Sequence, residues 1–396
     1  MIVKQPSFSF GIEEEYFLVN RETRALAARV PPALIAACRK RLGDRFSLEF
    51  MAGQVEACTP VSGDMASARA SLIEARQAIS EEAAKFGLAP IAAATHPSAK
   101  WRDHAPTDVP RYHSIAEEFQ AVGRRMMING LHVHVGIAGN SERIRLMNDV
   151  RPILPLLLAL STSSPFWQGE VTGLKSYRTA INDATPRKGI PEAFTDWRDY
   201  QRTVGSLQRA GIIEDGSKIW WDLRPSAKHP TLEMRITDAC PLLEDSLCLA
   251  AIFCCWCRYL SRDRDSRWAK QPLALINENR WRAQRYGLDE GLIDPATGSL
   301  VPIDALVDEL LGVIAEDAIE CDCLPEVEHA RIIFSRGTSA DRQLAVYQRS
   351  SDQGRLAATA MRSVVDQLVR ETSAQCGTGR APYLLRSATV AASPSR

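Results

Sequence analysis

Two histidines spaced two apart are the first residues in this sequence that could do chemistry together. In Leu131-His132-Val133-His134-Val135-Gly136-Ile137, strand alternation puts both imidazoles on one face and Leu131, Val133, Val135 and Ile137 on the other. Gly11-Ile12-Glu13-Glu14-Glu15-Tyr16 repeats the pattern: Glu13 and Glu15 share a face, and Glu14 falls with Ile12 on the opposite one. Acidic residues are depleted in strands, and like charges two apart repel unless a cation lies between them. The competing account is an exposed strand edge whose charges guard against pairing with another chain. Gln54 and Glu56 also share a face, as do Asp222 and Arg224, and Glu233 and Arg235. Five strands that each offer two polar groups from one side are hard to explain as solvated surface. Such a wall suits phosphoryl transfer. Carboxylates bind hard Mg²⁺ or Mn²⁺ and tolerate some imidazole, while guanidinia hold phosphate oxygens two at a time. The protein then contributes positioning and electrostatics.

Elements must present these groups. The pattern predicts strands over 8–19, 54–59, 88–94, 131–137, 220–224 and 231–237, the last two a pair separated by PSAKHP. Helices are expected over 64–86 and 114–127, and from Glu142 with a kink or break at Pro152 and Pro155; helices dominate after Pro241. This is an α+β domain with a functional sheet face. Its 396 residues carry 48 basic and 48 acidic side chains, so no net charge draws nucleic acid or an anionic membrane. The opening MIVKQPSFSF lacks the apolar core of a secretory signal. The longest apolar run, 247–257, falls far short of the roughly 18–20 residues that span a bilayer. A cytoplasmic location is expected. Of the ten cysteines, Cys248, Cys254, Cys255 and Cys257 sit in that run and Cys321 and Cys323 form a C-x-C without a second pair; buried, reduced thiols are expected over structural zinc. No G-x-x-x-x-G-K-[ST] occurs, so any use of ATP needs a different fold.

F-G-I-E-E-E-Y, Q-V-E-A-C-T, T-H-P, L-H-V-H-V-G, S-S-P-F-W-Q-G with Ser176 and Arg178 after it, D-L-R-P-S, L-E-M-R-I-T-D and R-Y-G-L occur in this order from about Phe10 to Thr372. Together they resemble the second glutamate–cysteine ligase family, the YbdK-type carboxylate–amine ligases. The resemblance implies a glutamine-synthetase-like fold: an antiparallel, partly barrel-like sheet flanked by helices, holding ATP and Mg²⁺ (or Mn²⁺). It implies one catalytic domain over 1–376, with 377–396 a flexible tail. By motif position, Glu13, Glu15 and Glu56 become metal ligands, with His132 or Glu233 completing the shells. Arg224 and Arg235 become the phosphate and acyl-phosphate clamp, with Asp222 beside the nucleotide or orienting Arg224. Arg111, Tyr112 and Arg178 become candidates for gripping a substrate carboxylate. His96 either binds substrate or caps a strand end. Glu56 and His134 are the candidates to take a proton from the amine. The resemblance thus implies an enzyme for small-molecule acids and amines, expected to be a homodimer; which acid and which amine no residue specifies. A metal-dependent hydrolase could use the same wall but would not need the paired arginines, and a non-catalytic binding protein would not need several metals.

Overall fold

The computed structural model describes residues 8–294 and 297–374; the expected tail over 377–396 lies outside them. A seven-stranded antiparallel sheet forms the centre. Its strands are β1 (Phe10–Asn20), β2 (Phe46–Leu48), β3 (Gln54–Cys58), β4 (Leu88–Ile91), β5 (Leu131–Gly136), β6 (Leu223–Pro225) and β7 (Thr231–Met234). Their order is β2-β3-β1-β5-β7-β6, with β4 on the far end of β1. Every pairing among them is antiparallel. The fold is therefore the expected mixture of helices and antiparallel sheet. One feature differs: β2 and β6 end the sheet and do not pair, so it stays open and is not partly barrel-like in its hydrogen bonding.

Alternation decides which side faces what. Ile12, Leu131, Val133, Val135, Leu223, Leu232 and Met234 are fully buried in one cluster with Leu247, Leu249, Ala250, Ile252 and Phe253 of the helix Leu243–Arg262. Glu14 points into this apolar layer as expected, and it is not left bare. It accepts bonds from Arg76 at 2.6 and 2.9 Å, from Ser246 at 2.7 Å and from Tyr16 at 2.5 Å. Arg76 comes from the helix Met65–Ala84 and also donates to the carbonyls of Cys240 and Pro241. This buried ion pair thus joins β1 to two helices. The proline pair breaks its helix as expected: Asn140–Val150 is followed by a tight turn at Arg151–Ile153 and a new helix, Leu154–Ser161. The second helix starts earlier than its pattern, at Pro110–Gly123, since proline suits a first helical turn. Cys248, Cys254, Cys255 and Cys257 are buried free thiols, and Cys255 Sγ lies 3.5 Å from Cys323 Sγ.

Candidate active site

The register sets the polar groups side by side. Glu56 pairs with Ser47 on one side and Glu15 on the other; Glu13 pairs with His132; Glu233 pairs with His134 and Arg224. All these side chains emerge from the face opposite the helical core and line one cavity of about 490 Å³, with Arg111, Tyr112, Arg178 and Arg235. The structure thus gathers most of the expected site residues.

Three overlapping groups of ligand atoms lie there, the atoms in each within 4.8 Å of one another: Glu13, His134 and Glu233; Glu13, Glu56 and His132; Glu15, Glu49 and Glu56. His134 Nδ1 is hydrogen-bonded to Thr231 at 2.9 Å, and its Nε2 is buried without a hydrogen bond. That orphaned nitrogen lies 3.2 Å from Glu13 and 3.9 Å from Glu233. A cation shared by the three would satisfy the imidazole and both carboxylates together. The donor set, oxygen with some imidazole, fits Mg²⁺ or Mn²⁺. Burial and then the charge of Arg235 hold His132 below its ordinary pKa, so the ring is neutral, the form that ligates metals. Burial, then Glu13, Glu49 and Glu15, push the Glu56 carboxyl well above the ordinary range. Burial and Glu15 push Glu49 up to about 7. Crowded carboxylates of this kind cost free energy until a cation neutralises them. Glu49 was not foreseen. The one signal was Phe46-Ser47-Leu48-Glu49, whose alternation sets Glu49 on the face of Ser47.

The arginines divide. Arg224 donates from Nε and one Nη to Glu233 at 2.8 and 3.0 Å, and from the other Nη to the carbonyls of Ser217 and Ile219 at 3.0 and 2.5 Å. It is committed to holding Glu233. Arg235 uses a single nitrogen, on Glu233 and, at 3.4 Å, on His132 Nδ1; its remaining N–H groups have no protein partner among the described residues. Arg178 donates to the carbonyls of Arg235 and Ile236 at 2.9 and 3.0 Å, while its Nε is buried and unpaired. Gly130 permits this approach, because a Cβ there would come within 2.5 Å of the Arg178 guanidinium and 2.8 Å of His132 Nε2. At the rim, Tyr112 donates to the Leu48 carbonyl at 2.9 Å and Arg111 is exposed.

Two expected residues stand apart. Asp222 precedes β6, and its carboxylate is taken by Arg280 at 2.6 Å rather than by Arg224. It does not line the cavity. His96 is fully buried away from the cavity, with Nε2 on the Arg24 carbonyl at 3.0 Å and Nδ1 accepting from Ser98 and Ala99 at 3.2 and 3.0 Å. Burial lowers its pKa to about 4. Both nitrogens are spent on the turn after β4, the structural half of its expected role.

Fold and cavity together define a mixed helix-and-sheet protein whose antiparallel sheet gathers carboxylates, imidazoles and guanidinia on one face. The chain belongs to the glutamate-cysteine ligase family 2, whose model matches residues 9–367. It is 50% identical over 381 residues to a Rhodospirillum rubrum protein named "Putative glutamate–cysteine ligase 2", covering 95% of this chain and 98% of that one. A Jannaschia protein of the same name is 48% identical over 92% of this chain and 96% of its own. Among solved structures, the bifunctional glutathione synthetase of Pasteurella multocida matches with a TM-score of 0.69 at 15% identity, over 92% of this chain; the chain spans about half that enzyme, 52% of it. The glutamate–cysteine ligase of Francisella tularensis, solved in complex with AMP, matches with a TM-score of 0.65 at 14% identity, over 93% of this chain and 92% of that one. At such identities these two likenesses speak for the fold.

Proposed function

We propose that this protein is an ATP- and Mg²⁺-dependent carboxylate–amine ligase, with Mn²⁺ an alternative ion, that activates an acid as its acyl phosphate and passes the acyl group to an amine. The observation that carries this reading is the row of carboxylate and imidazole ligand atoms on one sheet face beside the uncommitted N–H groups of Arg235. Family membership and the names of the relatives support the same chemistry, and with it glutamate and cysteine as the first substrates to try. The reading extends to a cytoplasmic homodimer with a single catalytic domain over 1–376. It takes the sheet, though open, as the counterpart of the glutamine-synthetase cradle.

A carboxylate does not react with an amine directly, because oxide is too poor a leaving group. Transfer of the γ-phosphoryl group to the carboxylate supplies phosphate as the leaving group instead. Glu13, Glu15, Glu49, Glu56, Glu233, His132 and His134 would hold the metal ions. An Mg²⁺ held by these residues would supply positive charge to offset that of the phosphates. Arg235 offers its free N–H groups to the phosphoryl oxygens, where charge builds up. Arg224 fixes Glu233 and keeps the wall in shape. Arg178 and the Arg111–Tyr112 rim provide the cationic and hydroxyl groups for the acid. The amine must attack as a neutral nucleophile, and Glu56 takes its proton, or His134 does where its Nε2 holds no metal ion.

The test is release of ADP and phosphate with Mg²⁺ over a panel of acids and amines that begins with glutamate and cysteine. Release that needs acid, amine and metal together is the expected result. Amide or phosphoester cleavage without nucleotide would favour a hydrolase, and nucleotide binding without turnover a binding protein.

A further inference from the structure

The cavity wall holds a further cationic side chain, outside the metal-ligand groups and the arginines described above. Lys188 is half-buried in its wall. Its segment is held in place on both sides: the Trp220 amide donates to the Arg187 carbonyl at 2.9 Å and the Asp222 amide to the Gly189 carbonyl at 2.8 Å. Arg187 adopts φ of 61°, a left-handed conformation that costs a non-glycine residue free energy, and its guanidinium is held by Glu118 at 2.6 Å and the Lys218 carbonyl at 3.0 Å. The backbone is thus fixed in a strained form that delivers the next residue, Lys188, to the cavity. Its ammonium stands 5.1 Å from the Trp220 ring centroid, a contact that fixes direction without supplying a counter-charge.

No carboxylate oxygen lies within 4.0 Å of Lys188 Nζ among the described residues, and no hydrogen bond uses its three N–H groups. The acid whose field favours its charge is Asp222, but that carboxylate is already bound by Arg280 at 2.6 Å. Burial, then the charges of Arg235 and Arg178, push the ammonium well below the usual lysine range. An ammonium crowded by two guanidinia in a half-buried wall is disfavoured, and an anion in the cavity relieves it without loss of the proton. Arg235, the neighbour whose field opposes it most strongly, is also the arginine with uncommitted donors.

We propose that Lys188 and Arg235 together form the subsite for the reacting oxyanion, contacting either the nucleotide's γ-phosphoryl group or the acid's carboxylate. This rests on the ligase reading and adds a contact residue to it. The two sources of the oxyanion separate in one set of measurements on Lys188→Met and Lys188→Arg. Mg²⁺ complexes of AMPPNP, an ATP analogue with an imido β–γ bridge, and of ADP are titrated calorimetrically. KM is measured for whichever acid best supports ADP release by the unaltered enzyme. Contact with the γ-phosphoryl group predicts that Lys188→Met weakens AMPPNP about tenfold or more and leaves ADP unchanged. Contact with the carboxylate predicts unchanged nucleotide affinities and a KM about tenfold or more higher. Lys188→Arg recovers part of either loss. Equal weakening of both nucleotides with a lowered melting temperature would make Lys188 structural and overturn the proposal. So would AMPPNP affinity and KM within twofold of the unaltered enzyme, which would leave the ligase reading standing. If the unaltered protein binds no Mg²⁺–nucleotide, that reading fails and the subsite fails with it.

Discussion

At the scale of single residues, each side chain in the cavity is defined by what it already holds. Glu49 and Glu15 hold too little: with Glu56 they form a cluster of carboxyls in which two are displaced upward. Replacing Glu15 or Glu49 with Gln removes a ligand from that cluster, so Mg²⁺–nucleotide affinity should fall steeply in calorimetric titration. Unchanged affinity and turnover would remove them from the site. Arg235→Lys keeps the charge and loses the planar fork, so turnover should drop on the order of 10²-fold while the melting temperature stays put. A melt shifted by many degrees would instead make Arg235 a structural residue. Period-two faces made Glu13, Glu15, Glu56, His132, His134 and Glu233 legible from the sequence. Glu49 escaped because it follows a strand of only three residues, Phe46–Leu48, too short for alternation to stand out. Lys188 lies in a segment with no period at all, and it is aimed by contacts distant in sequence, the backbone bonds to Trp220 and Asp222 among them.

At the scale of elements, polar groups on the core side of the sheet hold the wall in position. Glu14 joins β1 to the helices Met65–Ala84 and Leu243–Arg262 through Arg76 and Ser246. Arg76→Met leaves this buried carboxylate with the Ser246 and Tyr16 hydroxyls but no counter-charge, and the expected loss is about 3–5 kcal/mol, read as a lowered melting temperature. Arg76→Met combined with Glu14→Gln should recover part of it; a double variant no better than the single would contradict the ion-pair account. Farther along, Asp245 at the start of the second helix is bound by Arg336 at 2.7 and 2.8 Å and by His329 at 2.8 Å. Burial opposes its charge, but His329 and Arg336 outweigh it and hold the pKa below its ordinary value. A depressed carboxyl adds stability that is present above the unfolded value, about 4, and lost as pH falls through the folded one. The stability gap between the unaltered protein and Asp245→Asn should therefore be open at pH 6 and close below about pH 4. A gap constant across that range would show that its charge is not what matters. Strand ends were the least legible feature at this scale. Because β6 begins at Leu223, alternation does not extend to Asp222, and the expected face shared with Arg224 gives way to a bond with Arg280, 58 residues on. His96 likewise turns to a carbonyl 72 residues away, which no local pattern reveals.

At the scale of the whole molecule, an antiparallel sheet carries the polar wall on one face and its helical core on the other. Among the described residues no helix is long and apolar enough to cross a membrane. Five of the eight motifs that revealed the family lie on or beside strands lining the cavity, which is why fold and wall could be read together; the open edge between β2 and β6 could not, since closure depends on strand curvature. The central claim is that this face builds an acyl phosphate. It is tested most directly by running the reaction with acid labelled with ¹⁸O in its carboxylate. One labelled oxygen should appear in the released inorganic phosphate, with ADP as the other product. Label in AMP would mean that the acid is adenylated, and label absent from phosphate while the amide forms would contradict the account.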